Sequence, residues 1–399
     1  MSENHRNQII GIFIISGVIL ASVIFFLFSY FFLIDDCNVG YGEDEENEGD
    51  LFLVKYNAFG DLLLSKSFGG ILLEEGYDIT IDEANNTYIV GYKIDFNSPS
   101  PHKLLVMKLN ANATQLWNVT IRGVSWWENL KYCGIVVDNE SNIYIACTTA
   151  GYGIGGGDVL ILKFDTNGTQ LWNTTWGGSA EDSGRDISID SENHLYVVGS
   201  TKSFGAGSSD IVIIKYDSNG TQLWNTTIGS NDYDSSQGVT IDEANFIYIA
   251  ANTPTGVLIM KFHSDGSQIW NTTLGGLNHA TSNAITVDSE NCTYITGITY
   301  SYSSWEDTYY EILVCKLDAN GFPLWNSTWG EIYPNHDIGY DIAVDSNKNI
   351  YVIGTASNDI LLKYNSIGEL LWIRKSGGNQ GYGIQIDASD DIYITGRNI

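Results

Sequence analysis

Basic residues are scarce in this chain. Nineteen Lys and Arg stand against 48 Asp and Glu, a formal net charge of −29. A surface of that sign repels phosphate backbones and anionic head groups, which excludes nucleic acid as a partner. Amphipathic helices are also missing: beyond the N-terminus no stretch holds apolar residues at a sustained helical period. The six histidines are scattered, and there is no HExxH, no CxxC, no phosphate-cradling glycine loop and no Ser-His-Asp order. No catalytic constellation, no metal site and no cofactor are therefore expected. Proline, five residues in 399, marks no domain linker, and the 42 glycines recur periodically rather than in blocks. Both facts point to one large repeat domain.

One long apolar run is present. Ile9 to Ile34 is 26 residues without a charge, more than the roughly 20 that cross a hydrocarbon core as a helix. It lacks the short apolar region and small-residue cleavage site of a secretory signal peptide, so an uncleaved single-pass anchor is expected. Arg6 precedes the run, and Asp35, Asp36, Glu43, Asp44, Glu45, Glu46, Glu48 and Asp50 follow it. The positive-inside rule then leaves the N-terminus in the cytoplasm and everything after Asp35 outside the cell membrane. The expected organisation is a cytoplasmic stub at 1–8, a transmembrane signal-anchor helix at 9–34, a solvated acidic tether at 35–49 and a folded extracytoplasmic domain at 50–399.

The folded part repeats. An apolar strand ends in lysine at 55, 108, 163, 215, 261, 316 and 363, spaced by 46 to 55 residues. Nine residues after six of those lysines stands Trp117, Trp172, Trp224, Trp270, Trp325 or Trp372, with Leu64 in the first copy. A second strand pair places aspartate at 82, 138, 190, 242, 288, 345 and 387 and tyrosine six residues further on in every copy. The stretch from Gly184 to Ser200 shows the grammar: two short alternating apolar runs joined by a four-residue polar turn. Seven repeats of four short strands predict an all-β, seven-bladed β-propeller with four antiparallel strands per blade.

These residues resemble the SBBP-type β-propeller repeats of bacterial and archaeal surface proteins, whose pattern reads GxxxWxxxxGG, an Asp-terminated strand, then NxYxxG. The resemblance spans residues 51–397. It implies a fold and leaves function open, because propellers host unrelated activities. By analogy with other propellers, the Asp-turn-Tyr hairpin supplies strands A and B, and the Lys and Trp strands supply C and D. The chain then starts with a C–D pair and ends with an A–B pair, and the two halves are expected to close one blade, leaving no open strand edge.

Several residues bear two readings. The repeat aspartates lack the DxDxDG spacing of a calcium loop and are read as Asx-turn caps. The repeat tryptophans are read as blade-to-blade packing rather than stacking platforms. His279 and His336 fall between blades and are read as solvated loop residues. Extracytoplasmic cysteines favour disulfides: Cys133 with Cys147 and Cys292 with Cys315 are placed for two intrablade bridges, free thiols being the alternative. Cys37 is left over. Eleven N-x-S/T acceptors, Asn85, Asn112, Asn118, Asn139, Asn167, Asn173, Asn219, Asn225, Asn271, Asn291 and Asn326, all avoid the D–A and B–C loops. That sequon-free face carries the irregular aromatics Trp126, Trp127, Tyr152, Tyr233, Trp305, Tyr309, Tyr310 and Tyr333, with carboxylates such as Asp182 and Asp234 among them. Aromatics beside carboxylates suit sugars or cationic protein segments.

The expected function is therefore a non-enzymatic surface module that binds a glycan or another surface protein through its D–A and B–C loops. Two alternatives stand beside it. One is a quinoprotein-like or hydrolytic propeller enzyme, suggested by a glycine-to-tryptophan spacing like the docking motif of quinoproteins. Those rings carry eight blades and an adjacent cysteine pair that this chain lacks. The other is a structural surface coat.

Overall fold

The computed structural model describes residues 49–70, 72–98, 101–123, 132–275, 280–302, 308–331, 336–356, 358–375 and 379–398, all within one compact unit, Asn47–Ile399. The stub expected at 1–8, the anchor at 9–34, Cys37 and nearly all of the tether lie outside the described residues. Among the described residues no helix is long and apolar enough to cross a membrane.

The strands form seven four-stranded antiparallel sheets. Blade 1 comprises Leu73–Ile81, Thr87–Ile94, His102–Leu109 and Gln115–Ile121, in spatial order A-B-C-D. Blades 2 to 6 follow the same order, with A strands at Gly134–Val137, Asp182–Ile189, Ser235–Ile241, Thr281–Val287 and Ile338–Val344. Blade 7 joins the chain ends: Asn379–Ile386 and Ile392–Asn398 supply A and B, and Leu51–Tyr56 and Leu62–Phe68 supply C and D. The first strand pairs with the last from Leu51↔Arg397 to Tyr56↔Ile392, so the expected two-plus-two closure is present.

Strands B and C are buried on both faces and D only on one edge of its pattern. The core is accordingly seven apolar layers, each shared by two neighbouring blades. Every C–D ladder slips by one residue at the same point, opposite the repeat lysine. The bulge turns the tryptophan toward the next blade and leaves the residue before it outside. That residue is Leu63, Leu116, Leu171, Leu223, Ile269, Leu324 or Leu371, each 41–55% exposed.

The repeat aspartates are caps, as read. Each Oδ1 accepts the backbone N–H groups two and four residues on, as Asp82 does from Ala84 and Asn86. Each Oδ2 accepts the hydroxyl of the repeat tyrosine at 2.8–3.1 Å. Burial works against ionisation of Asp82, and the bonds from Asn86 and Tyr88 outweigh it, so its pKa stays below the usual range. The tryptophans join blades: Trp117 Nε1 donates to Thr166 O at 3.0 Å, and Trp172, Trp224, Trp270 and Trp325 do likewise to the next C–D turn. In those turns a glycine at φ +82 to +88 lies on the tryptophan ring; a Cβ on Gly168, Gly220, Gly266, Gly321 or Gly368 would come within 2.7–3.4 Å of it.

Candidate functional site at the propeller axis

The A strands form the inner ring, and six of the seven A–B ladders carry a second bulge in the half nearest the D–A loops. It lies between Gly76 and Asp78, Gly184 and Asp186, Ser236 and Gly238, Ser282 and Ala284, Gly339 and Asp341, and Gly381 and Gly383. The extra residues are Tyr77, Arg185, Gln237, Asn283, Tyr340 and Tyr382. A bulge re-aims one side chain while the ladder continues. In five of the six blades the glycine of the NxYxxG pattern makes room for it, and a Cβ on Gly91, Gly199 or Gly396 would sit 1.7–1.9 Å from a strand-A carbonyl; blade 4 keeps its bulge with Ala251 in that place. In blade 2 Cys147 occupies that glycine position, strand A is shortened to Gly134–Val137, and the ladder has no bulge.

The bulged side chains meet across blades, which sets them in a belt around the axis. Tyr382 lies 5.6 Å from Tyr77 and 5.0 Å from Tyr340, ring centre to ring centre. Arg185 Nη1 donates to Gln237 Oε1 at 2.5 Å, and the guanidinium lies 4.0 Å above the Tyr132 ring of blade 2. Asn283 Nδ2 donates to Gly339 O at 2.8 Å. One side of the belt is therefore aromatic and the other is amide and guanidinium. The tyrosine hydroxyls are engaged: Tyr77 donates to Glu75, which pairs with Arg397, and Tyr382 donates to Gln380.

Next to the belt stand three carboxyls, Asp78, Asp186 and Asp341. Each accepts its own following N–H and the matching N–H of the next blade, from Ile135, Val239 and Ile384 respectively, at 2.7–2.9 Å. They retain some surface toward the axis, yet they are deep enough that burial dominates. Burial raises Asp186 to about 6 and Asp341 to about 7, the latter aided by the charge of Asp186. Burial and then the charges of Asp341 and Asp186 push Asp78 well above the carboxylate range.

The loop residues expected to bind fare differently. Trp126, Trp127, Trp305, Tyr333 and His279 lie outside the described residues. Tyr152 and Tyr233 are exposed in the B–C loop of blade 2 and the D–A loop of blade 3. Tyr309 and Tyr310 are strand residues, a correction to the loop reading: the insertion lengthens hairpin B–C of blade 5, pairing Ser301↔Tyr309 and Tyr300↔Tyr310. Tyr310 packs 4.3 Å from the ring of His336. Asp182 and Asp234 are not free for a ligand, because they are buried loop anchors. Asp182 accepts from Gly178 N and Ser203 Oγ, and Asp234 from Ser230 N and Oγ. Among the described residues no group of three His, Cys, Asp or Glu side chains is placed to hold a metal ion.

The cysteines divide. The blade 2 ladder ends at Gly134↔Ala146, next to Cys133 and Cys147, and these two buried free thiols are hydrogen-bonded, which with burial pushes Cys133 well above the thiol range. Cys315 pairs with Ile295, three residues from Cys292, and the two belong to different inter-blade layers. Both are free thiols and are not brought together, so the expected Cys292–Cys315 bridge is excluded by register. The sequon asparagines of the D strands, Asn118, Asn173, Asn225, Asn271 and Asn326, are all exposed.

Comparison with known families matches two short stretches of the repeat. Residues 330–361 fit the family described as SBBP, β-propeller repeat, and residues 192–222 fit a β-propeller domain of unknown function. The chain is a β-propeller repeat protein. No curated protein matches it. Among solved structures, the propeller is similar to the Pan2 WD40 domain of Neurospora crassa, at 9% identity and TM-score 0.53 over 80% of this chain and 88% of that one. It also matches BamB of Moraxella catarrhalis at 12% identity and TM-score 0.44, covering 86% and 91%. These likenesses concern the fold alone.

The belt escaped sequence reading. Its signal was available: five residues before the invariant aspartate the copies read Tyr77, Cys133, Arg185, Gln237, Asn283, Tyr340 and Tyr382. That position varies where its surroundings repeat.

Proposed function

We propose that this propeller is a membrane-anchored, extracytoplasmic binding module, held by residues 9–34, that receives a glycan or a segment of a surface protein at the mouth of its axis. One observation carries the reading. Six bulges in identical places present three tyrosines, an arginine, a glutamine and an asparagine, and a scaffold that repeats while one inward position varies is arranged for recognition. The D–A and B–C loops rise on the same side, with Tyr152 and Tyr233 exposed on them, and the sequons all lie elsewhere. Hydrolytic chemistry draws no support from Asp78, Asp186 and Asp341, whose oxygens are already engaged by backbone N–H groups.

A structural coat is favoured by one other feature, the exposed aliphatic residue on every D strand. The test is a glycan and surface-protein binding screen of the full-length chain in detergent, with alanine at Tyr340 and Tyr382 or at Trp126, Trp127, Trp305 and Tyr309. Binding abolished by the first pair assigns the axis, and by the second set the loops. Ordered self-association without any ligand, in a protein that keeps its β-sheet circular dichroism, puts the coat first.

A further inference from the structure

Arg185 is the anomaly of the belt. In a chain of net charge −29, several cations meet carboxylates, Lys55 with Asp391 at 2.8 Å, Lys93 with Glu74 at 2.6 Å and Arg397 with Glu75 at 2.6 Å, while others such as Arg374 have their N–H groups met by backbone carbonyls. Among the described residues Arg185 has an amide and an aromatic face, with no carboxylate in ion-pair range. Its Nε is buried and bonds to nothing described. Asp186, its neighbour in sequence, is turned away and spent on Ile187 N and Val239 N. Arg185 is half-buried, and its unmet Nε adds a desolvation cost. A carboxylate docking on the accessible side of the guanidinium supplies the counter-ion it lacks.

The surroundings say which carboxylate. Gln237 sets its amide oxygen on the guanidinium, and Tyr340 and Tyr382, both half-buried and edge to face at 5.0 Å, form an aromatic side on blades 6 and 7. A cation on one side of the axis and aromatic rings on the other match a pyranose that carries C–H groups on its faces and one acidic substituent. Building on the binding-module reading, we propose that the axial belt recognises an acidic glycan, a unit of the uronic-acid class, with its carboxylate on Arg185 and its face on Tyr340 and Tyr382.

The test is calorimetric titration of the full-length chain in detergent with three probes: a glucuronic-acid oligomer, the glucose oligomer of the same length and linkage, and a glutamate-rich peptide. The expected result is a preference of about tenfold or more for the acidic oligomer over the neutral one. Arg185→Gln should remove that preference and leave the neutral affinity within about twofold, and Arg185→Lys, which keeps the charge without the fork, should retain part of it. Unchanged circular dichroism and melting temperature show that each variant is folded, and Tyr340→Ala, which should weaken both oligomers alike, gives an independent check. Equal binding of the two oligomers, or a preference that survives Arg185→Gln, overturns this inference and leaves the binding module standing. Preference for the peptide overturns the glycan class. Binding of none of the three overturns both this inference and the reading it rests on.

Discussion

Replacing Leu64 by tryptophan and Ala113 by glycine, singly and together, tests how the blades are joined. Five interfaces set a C–D turn glycine on the preceding blade's tryptophan, so close that a methyl would intrude to 2.7–3.4 Å. Between blades 7 and 1 the pair is Leu64 with Ala113, whose buried methyl occupies the same apolar layer at φ +53. Lys66 Nζ donates to Ala113 O at 2.7 Å, two residues beyond the carbonyl position that the indole N–H reaches in the other interfaces. Leu64→Trp alone drives an indole into that methyl and should cost about 1–3 kcal/mol. Ala113→Gly alone removes about 1 kcal/mol of left-handed strain and forfeits about 0.8 kcal/mol of buried methylene, a net effect near zero. Together they recreate the interface found elsewhere in the ring. The double mutant should therefore beat the sum of the singles by about 2 kcal/mol in urea unfolding. Coupling below about 0.5 kcal/mol, or a stabilising Leu64→Trp single mutant, would refute the reasoning.

The carboxyls at the axis make stability fall as pH rises. Burial lifts Asp186 to about 6 and Asp341 to about 7, above the unfolded value of about 3.9. Their contribution is thus complete below about pH 4 and is lost as pH climbs through about 6 to 7. His102, whose pKa burial lowers, acts in the opposite sense. The readout is therefore the difference between wild type and Asp341→Asn, and a wild-type melting temperature that falls no faster than the variant's between pH 5 and 8 contradicts the assignment. In blade 2, mass mapping of unreduced protein after mild oxidation should find Cys133 joined to Cys147 and Cys292 and Cys315 still alkylatable. A Cys292–Cys315 crosslink would contradict the register.

Much of the fold was legible because the repeat exposes it. An aspartate followed at six residues by a tyrosine, seven times over, can only be one hydrogen-bonded hairpin copied around a ring. The offset between the first Lys strand and the last Asp hairpin forces the two halves of blade 7 together. The tryptophan's packing role was legible too, since a large ring at a fixed strand position has to meet the same neighbour in each copy. The companion glycine was visible, but its partner was not, because the two stand 42 to 51 residues apart along the chain, as Trp224 and Gly266 or Trp117 and Gly168 show.

What the sequence by itself determined is the period, the strand grammar, the capped turns, the closure and the acidic surface, all of which follow from local pattern and copy number. Only the tertiary structure decided where side chains point once a ladder slips. A bulge adds one residue without altering composition or alternation enough to be read. Six bulges turned Tyr77, Arg185, Gln237, Asn283, Tyr340 and Tyr382 toward one axis, and the three-residue offset across blade 5 separated Cys292 from Cys315. Register and long-range closure are cooperative properties of the whole ring, and no window of sequence contains them.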